Sequence, residues 1–358
     1  MGQAQKAFDI RDAIRTVVDG NELSLEQSTA AMDAIMSGEV PDAQIAALVT
    51  ALRMKGETVA EIAGFATAMR DHSLKVKTDS VRVPLLDTCG TGGDHSNSFN
   101  ISTTATFAIA ASGVRIAKHG NRAASSLCGS ADLLEGLGVE VELSAEEVAR
   151  SIDEISIGFM FARSFHPAMR FVGPTRTAIG IRTVFNLLGP LTNPAGAGHQ
   201  LIGVGHPGIA LKLAEVLSML GSSRAVLVHS AEGLDEVGIS GASAITEWDR
   251  TNGQIREYAI SPEEFGLERG KPEDLRGGDV TENVAITRSI LEGETGPRRS
   301  VTLMNAGAGI YAAEGASSIA EGVALAAEAI DSGAALMKME QLVTFTRNLV
   351  ESRTEVQA

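Results

Sequence analysis

At 358 residues the chain is long enough for two structural units, because a single hydrophobic core stops growing beyond roughly 250–300 residues. It is 44% hydrophobic, 21% charged and only 4% aromatic, with 38 Gly, the balance of an Ala- and Gly-rich α/β enzyme. A net charge of -15 argues against a nucleic-acid or anionic-membrane surface, two cysteines exclude a disulfide framework, and no apolar run nears a membrane span, so a cytoplasmic location is expected.

The first 72 residues read as helices. Ser24 with Gln27, and Thr58 with Glu61, match capping boxes, and Pro41 and Gly56 bracket a helix whose buried face carries Ile45, Leu48, Val49 and Leu52. From Val83 the pattern changes to short apolar runs (VPLL, VRIA, IGFMFA, LIGVG, AVLVHS), with helices expected from Ile101, Ser130, Ser144 and Gly208. That alternation predicts a mostly parallel sheet covered by helices. The stretch 166–193 interrupts it with Pro167, Pro174 and Gly189-Pro190, and reads as a helical return to the first unit, with a cleft between the two. Further on, SAITEWD and QIREYAI flank Asn252-Gly253, a tight-hairpin pair, and Ser261-Pro262 opens another helix.

Two loops carry the chemistry. VPLL runs into DTCGTGGDHSNSFNIST, where Gly90, Gly92 and Gly93 let backbone amides turn toward a ligand and the next helix offers its positive N-terminus to an anion. Ser98, Asn100, Ser102 and Thr103 add polar groups at the helix entrance, and Asp94 suits sugar hydroxyls or a metal. The second loop, KHGNRAASSLCGSAD, supplies Lys118 as a point charge, Gly120 for close approach, and Asn121 with serines for directional bonds. His119 is either a general base or a structural histidine. Asp235 and Glu236, adjacent after AVLVHS, are hard oxygen donors of the kind Mg2+ takes beside phosphate. Arg176 is a candidate carboxylate clamp, with Arg163, Arg170 and Arg182 competing for the role.

Charge distribution agrees with this reading. No Asp or Glu lies between Asp94 and Asp132, a window of +3, or between Glu154 and Glu215, a window of +5. A strongly acidic chain that keeps carboxylates out of two long windows spares an anionic ligand from repulsion, or simply buries those windows.

Together GTGGD, NIST, KHGNR, GSAD, HPAMRFVGPTRTAIGIRTVFNLLGPLTNP and GLDE, in this order, resemble the anthranilate phosphoribosyltransferase family. The resemblance implies a small all-helical domain (1–76 and 166–193) and a larger α/β domain (77–165 and 194–358) with a mostly parallel central sheet, like nucleoside phosphorylases and phosphoribosyltransferases, paired as a homodimer through the helical domain. It implies transfer of phosphoribose from 5-phosphoribosyl 1-diphosphate to the amine of anthranilate, releasing pyrophosphate, in tryptophan biosynthesis. Gly90, Gly93, Asp94, Ser98, Asn100, Ile101, Ser102, Thr103, Lys118, His119, Gly120, Asn121, Arg122, Ala123, Ala124, Ser125, Ser126 and Ser130 match donor-binding positions. Gly90, Asn121 and Arg176 match anthranilate contacts, and Ser102, Asp235 and Glu236 match magnesium ligands, with two ions expected when donor is bound. His95, Ser98 and Arg163 depart from residues frequent in the family. A pyrimidine nucleoside phosphorylase, whose phosphate loop is not seen here, and a non-catalytic nucleic-acid-binding relative are the rival readings.

Overall fold

The computed structural model describes residues 8–79, 84–94, 96–123 and 126–357. Four helices open the chain: α1 (Ile10–Val18), α2 (Leu25–Met36), α3 (Asp42–Lys55) and α4 (Val59–Asp71). Both predicted capping boxes form, and Glu61 does more than cap. Its fully buried carboxylate also accepts from the Leu23 amide and from Lys55 Nζ, each at 3.0 Å, tying the entry to α2 to the end of α3.

The α/β unit then runs β1 (Leu85–Gly90), α5 (Ile101–Ala111), β2 (Arg115–Gly120), α6 (Ser130–Leu137), α7 (Ala145–Ile155) and β3 (Ile157–Phe161). Short helices α8 (Ala162–Phe165), α9 (Gly173–Ile179) and α10 (Phe185–Leu188) and two 3₁₀ turns occupy the segment up to residue 193. There follow β4 (His199–Gly203), α11 (Ala210–Met219), β5 (Arg224–Ser230), β6 (Ser243–Asp249) and β7 (Gln254–Ile260). The chain closes with α12 (Val280–Leu291), α13 (Pro297–Ala312), α14 (Ile319–Asp331) and α15 (Ala334–Gln357). Among the described residues no helix is long and apolar enough to cross a membrane.

The seven strands form one sheet in the order β3-β2-β1-β4-β5-β6-β7, parallel through β5 and antiparallel at β6 and β7. Alternation along β4 and β5 feeds two cores. Leu201, Val226 and Val228 point into one with α5, α6 and α12–α15, while Ile202, Ala225 and Leu227 point into the other. That second core holds α1–α4, α11 and, from the 166–193 segment, Ala168, Val172, Val184, Phe185, Leu188 and Leu191.

Three expectations change in detail. The first strand extends beyond VPLL: β1 runs Leu85–Gly90, and Gly90 pairs with Gly203 of β4, while Val83 lies outside the described residues. The second loop likewise starts late, because Lys118, His119 and Gly120 are still strand, paired with Phe159, Met160 and Phe161. The β6–β7 connection is a four-residue loop, 250–253, held by the Gly253 amide on the Asp249 carbonyl at 2.9 Å, rather than a two-residue turn.

Candidate active site

The site begins with a split in the sheet. β1 pairs with β2 only at Leu85↔Arg115 and Leu86↔Ile116, while β1 stays with β4, and β2 with β3, to their C-terminal ends. Backbone groups left facing a gap need partners, and here side chains supply them. Asp87 Oδ1 accepts from the His119 amide at 3.1 Å, and Asn193 Nδ2 donates to the Ala117 carbonyl at 2.8 Å. Lys118 Nζ donates to the Thr88 carbonyl at 2.6 Å and to Thr88 Oγ1 at 3.2 Å. Asp87 is fully buried, and burial raises its pKa against the opposing influence of the nearby Asn193 amide and the His119 N–H. Lys118, 4% exposed, has its pKa lowered by burial and supported by Asp87, Cys89 and Glu236.

The first loop rises from this split. Gly90 and Gly93 are required by neighbours distant in sequence: a Cβ on Gly90 would sit 2.5 Å from Asp235 Oδ2, and one on Gly93 would collide with the Arg182 guanidinium. Asp235 Oδ2 accepts from the Gly92 amide at 2.9 Å, and Glu236 Oε1 accepts from the Ser102 amide at 3.1 Å in the first turn of α5. The GLDE turn is therefore clamped against both the glycine loop and the helix entrance. Enclosure, with repulsion from Asp94, pushes the Asp235 carboxyl up to about 6. Enclosure and the Asp235 charge push Glu236 up to about 8. Three carboxylates beside an anion cradle are a site that wants a cation, though among the described residues no three His, Cys, Asp or Glu form a ready-made metal cluster. The set of hard oxygens fits Mg2+ that takes its remaining ligands from a phosphorylated substrate.

The other predicted donor residues divide by what holds them. Asn100 caps α5 without a side-chain cap bond, because its Nδ2 reaches across to the Cys128 carbonyl at 3.0 Å and joins the two loops; its Oδ1 is buried without a partner. Ser98 forms a bridge with Arg276, and Thr103 is buried in the first turn of α5. Ile101 is a core side chain, leaving only its backbone for a ligand. The Arg122 guanidinium is engaged by Asp132 at 3.0 Å and by Glu135, above the Phe161 ring. Asp132 also accepts from the Ala123 and Gly129 amides, both at 2.9 Å, and Ser130 Oγ donates to the Asn121 carbonyl at 3.1 Å. Ser126 Oγ faces the Cys128 carbonyl. His95, Ala124 and Ser125 lie outside the described residues.

A cavity of about 670 Å³ opens beside Gly90, where β1 and β2 end. It brings together Gly90, Asn121 and Arg176 with Arg163, Arg170, His119 and His166. Arg176 lies over the Phe185 ring, 5.7 Å from its centroid, and its guanidinium has no hydrogen bond or ion pair among the described residues. Arg170 is likewise stacked on a ring, that of Phe171, and with Arg163 lines the same cavity, whereas Arg182 lies outside it and donates through Nη2 to the Thr91 and Gly92 carbonyls. His119 and His166 pack with ring centroids 5.0 Å apart. Burial drives His119 down to about 3 and His166 to about 4, and their Nε2 atoms are buried without partners. A neutral His119 of such low basicity is poorly suited to a general base.

Sequence reasoning gave no role to Asp87, Thr88 or Asn193. The signal was there only in part: an Asp at the end of an apolar strand, directly before a glycine loop, is out of place in a buried run.

Comparison with known proteins follows this architecture. Residues 11–73 match the helical bundle domain of a glycosyl transferase family, and residues 82–336 match the a/b domain of the same family. An anthranilate phosphoribosyltransferase from Herpetosiphon aurantiacus is 54% identical over 337 residues, covering 94% of this chain and 98% of that one. The chain belongs to the anthranilate phosphoribosyltransferase family. The crystal structure of the Thermus thermophilus enzyme superposes with a TM-score of 0.89 at 46% identity, covering 94% of this chain and 99% of that one. The Saccharomyces cerevisiae enzyme in complex with PRPP and Mg superposes at 0.84 with 28% identity, covering 95% and 98%. The α/β architecture with an N-terminal helical unit, expected from the residues, is thus the family's own.

Proposed function

We propose that this chain transfers the phosphoribosyl group of 5-phosphoribosyl 1-diphosphate to the amine of anthranilate with magnesium bound, as a cytoplasmic homodimer of tryptophan biosynthesis. The observation that carries the reading is the joining of two sites at one split in the sheet. On one side the 90–94 loop, Ser102, Asp235 and Glu236 gather amides and carboxylates. On the other, Arg176 faces a half-apolar cavity with its fork unpaired.

Asp94, Ser102, Asp235 and Glu236 would hold the metal, which when bound supplies positive charge to the leaving pyrophosphate. Ser98, Asn100, Thr103 and the backbone of the loops would position the donor, with Lys118 fixed beneath by Thr88 as a buried positive charge. As the sugar C1 becomes cationic, the carboxylates around the donor favour that charge. Arg176 would take the acceptor carboxylate in two parallel bonds, with Asn121 and Gly90 as the facing wall. An aromatic amine is unprotonated at neutral pH, so attack needs no strong base, and the neutral state of His119 agrees with that. Holding amine and C1 in line supplies part of the roughly 7–11 kcal/mol available from orientation. Exposed Phe8, Val18, Leu25 and Leu74 in and beside the helical unit support pairing of two copies there.

The test is a fluorescence assay of anthranilate consumption with donor and Mg2+ each omitted in turn, and turnover is expected only with both. Arg176→Ala should raise the anthranilate KM by roughly 10- to 100-fold, the loss of a charge-assisted pair, and leave the donor KM nearly unchanged. Equal effects on both substrates contradict the clamp. Phosphate-dependent cleavage of thymidine or uridine, without turnover of anthranilate, would move the chain to the nucleoside phosphorylase reading.

A further inference from the structure

The acid-free stretch between Glu154 and Glu215 carries five cations, but only Arg163, Arg170 and Arg176 line the acceptor cavity. Arg182 and Lys212 face another. This second cavity, about 360 Å³, lies between the helical unit and the sheet. Arg53 enters it from the last turn of α3 with Glu57 just beyond, Arg182 from the 166–193 segment, and His206 and Lys212 from the start of α11 and the turn before it.

Its wall includes the rear of the 91–93 loop. Gly92 shows why there are two sides. Its amide donates to Asp235, on the metal side, while its carbonyl and that of Thr91 accept from Arg182 Nη2 at 3.2 and 3.3 Å. Arg182 thus commits one nitrogen to the loop and keeps the rest of its fork. Lys212 Nζ donates to the Glu57 carbonyl at 2.6 Å, using one of three N–H groups. The Arg53 guanidinium has no hydrogen bond or ion pair among the described residues. Three full cations therefore share this cavity with a single carboxylate, Glu57, in a chain whose net charge is -15. Like charges held together in a partly enclosed space repel unless an anion joins them. Two guanidinium forks and one ammonium also match the geometry of a phosphate-like oxyanion.

We propose that this cavity is a second anion site, behind the glycine loop and separate from donor and acceptor pockets, which binds a small multiply charged oxyanion of the phosphate or pyrophosphate class through Arg53, Arg182 and Lys212. The site does not depend on which acceptor the enzyme uses. Crystals of the full chain soaked in selenate, a tetrahedral dianion with an anomalous signal, locate it directly, and equilibrium dialysis with labelled inorganic phosphate measures it in solution. The expected result is an anomalous peak between Arg53, Arg182 and Lys212. In Arg53→Gln that peak should vanish, one class of phosphate site should weaken at least about tenfold, and kcat should stay at the wild-type value. Lys212→Gln gives a second variant should Arg53→Gln fold poorly. Selenate peaks confined to the front of the 90–94 loop, with unchanged phosphate isotherms in both variants, would overturn the site. A loss of turnover parallel to the loss of binding would also overturn it, by assigning the cavity to the donor.

Discussion

Two clusters of buried charge stand at opposite ends of the same sheet, and their polar groups are treated differently. At the N-terminal end of β4 and β5, Glu247 is fully buried and saturated. It accepts from Arg224 Nε and Nη2 at 3.0 and 2.8 Å, from Tyr311 and Tyr258 hydroxyls at 3.0 Å, and from Arg256 at 3.2 Å. At the C-terminal end, Asp87 Oδ2, Asn100 Oδ1 and His119 Nε2 are buried with no partner among the described residues, and enclosure raises the Asp235 and Glu236 carboxyls above their ordinary range. A network whose bonds close on themselves stabilises a fold. One left open, beside a cavity, is held in readiness for a ligand.

Neutralising the acids at each end should separate the two roles. Glu247→Gln leaves two arginines without their shared counter-charge and should cost about 3 kcal/mol or more in urea unfolding, with kcat of the folded fraction unchanged. A loss of kcat without loss of stability would break the contrast. Asp235→Asn with Glu236→Gln should do the reverse. It should lower kcat/KM by roughly 10²–10³ and raise the magnesium requirement. The metal-free protein should become slightly more stable near pH 8, because acids whose folded pKa is raised weaken the fold once the unfolded chain ionises. An unchanged magnesium titration removes both residues as ligands.

A third expected effect is a pH slope. His119 and His166 stay neutral in the fold down to about 3 and 4, whereas in the unfolded chain they take up protons near 6.5. The unfolded state binds more protons in that window, so stability is complete above about pH 6.5 and falls as pH drops toward 4, by up to about 1.4 kcal/mol per pH unit for each histidine. Denaturation midpoints of His119→Gln and His166→Gln should each flatten that slope.

Much of the frame was legible because it is local. Capping pairs three residues apart, the switch from helical to short apolar runs, and the glycine loops at strand ends each declare themselves within a dozen residues. The cause of the glycines did not. Gly90 and Gly93 look like space for phosphate, yet the atoms a side chain would strike belong to Asp235 and Arg182, some 145 and 90 residues away. Lys118 reads as a point charge in the second loop, but strand pairing carries it inward to Thr88. Arg122 shows nothing in its spacing of the ion pairs that its guanidinium makes with Asp132 and Glu135 on the next helix. In each case the deciding partner comes from tertiary packing, which spacing along the chain does not encode.

The parting of β1 from β2 after Leu86 has a further consequence for the price of binding. A cleft made by displacing loops must be reopened or reshaped whenever a substrate enters. Here the opening belongs to the sheet itself, and Asp87, Lys118 and Asn193 bond the strand groups that would otherwise pair across it. An arriving phosphosugar therefore spends none of its interaction energy on separating strands, and the ammonium and amides beneath it are already aimed.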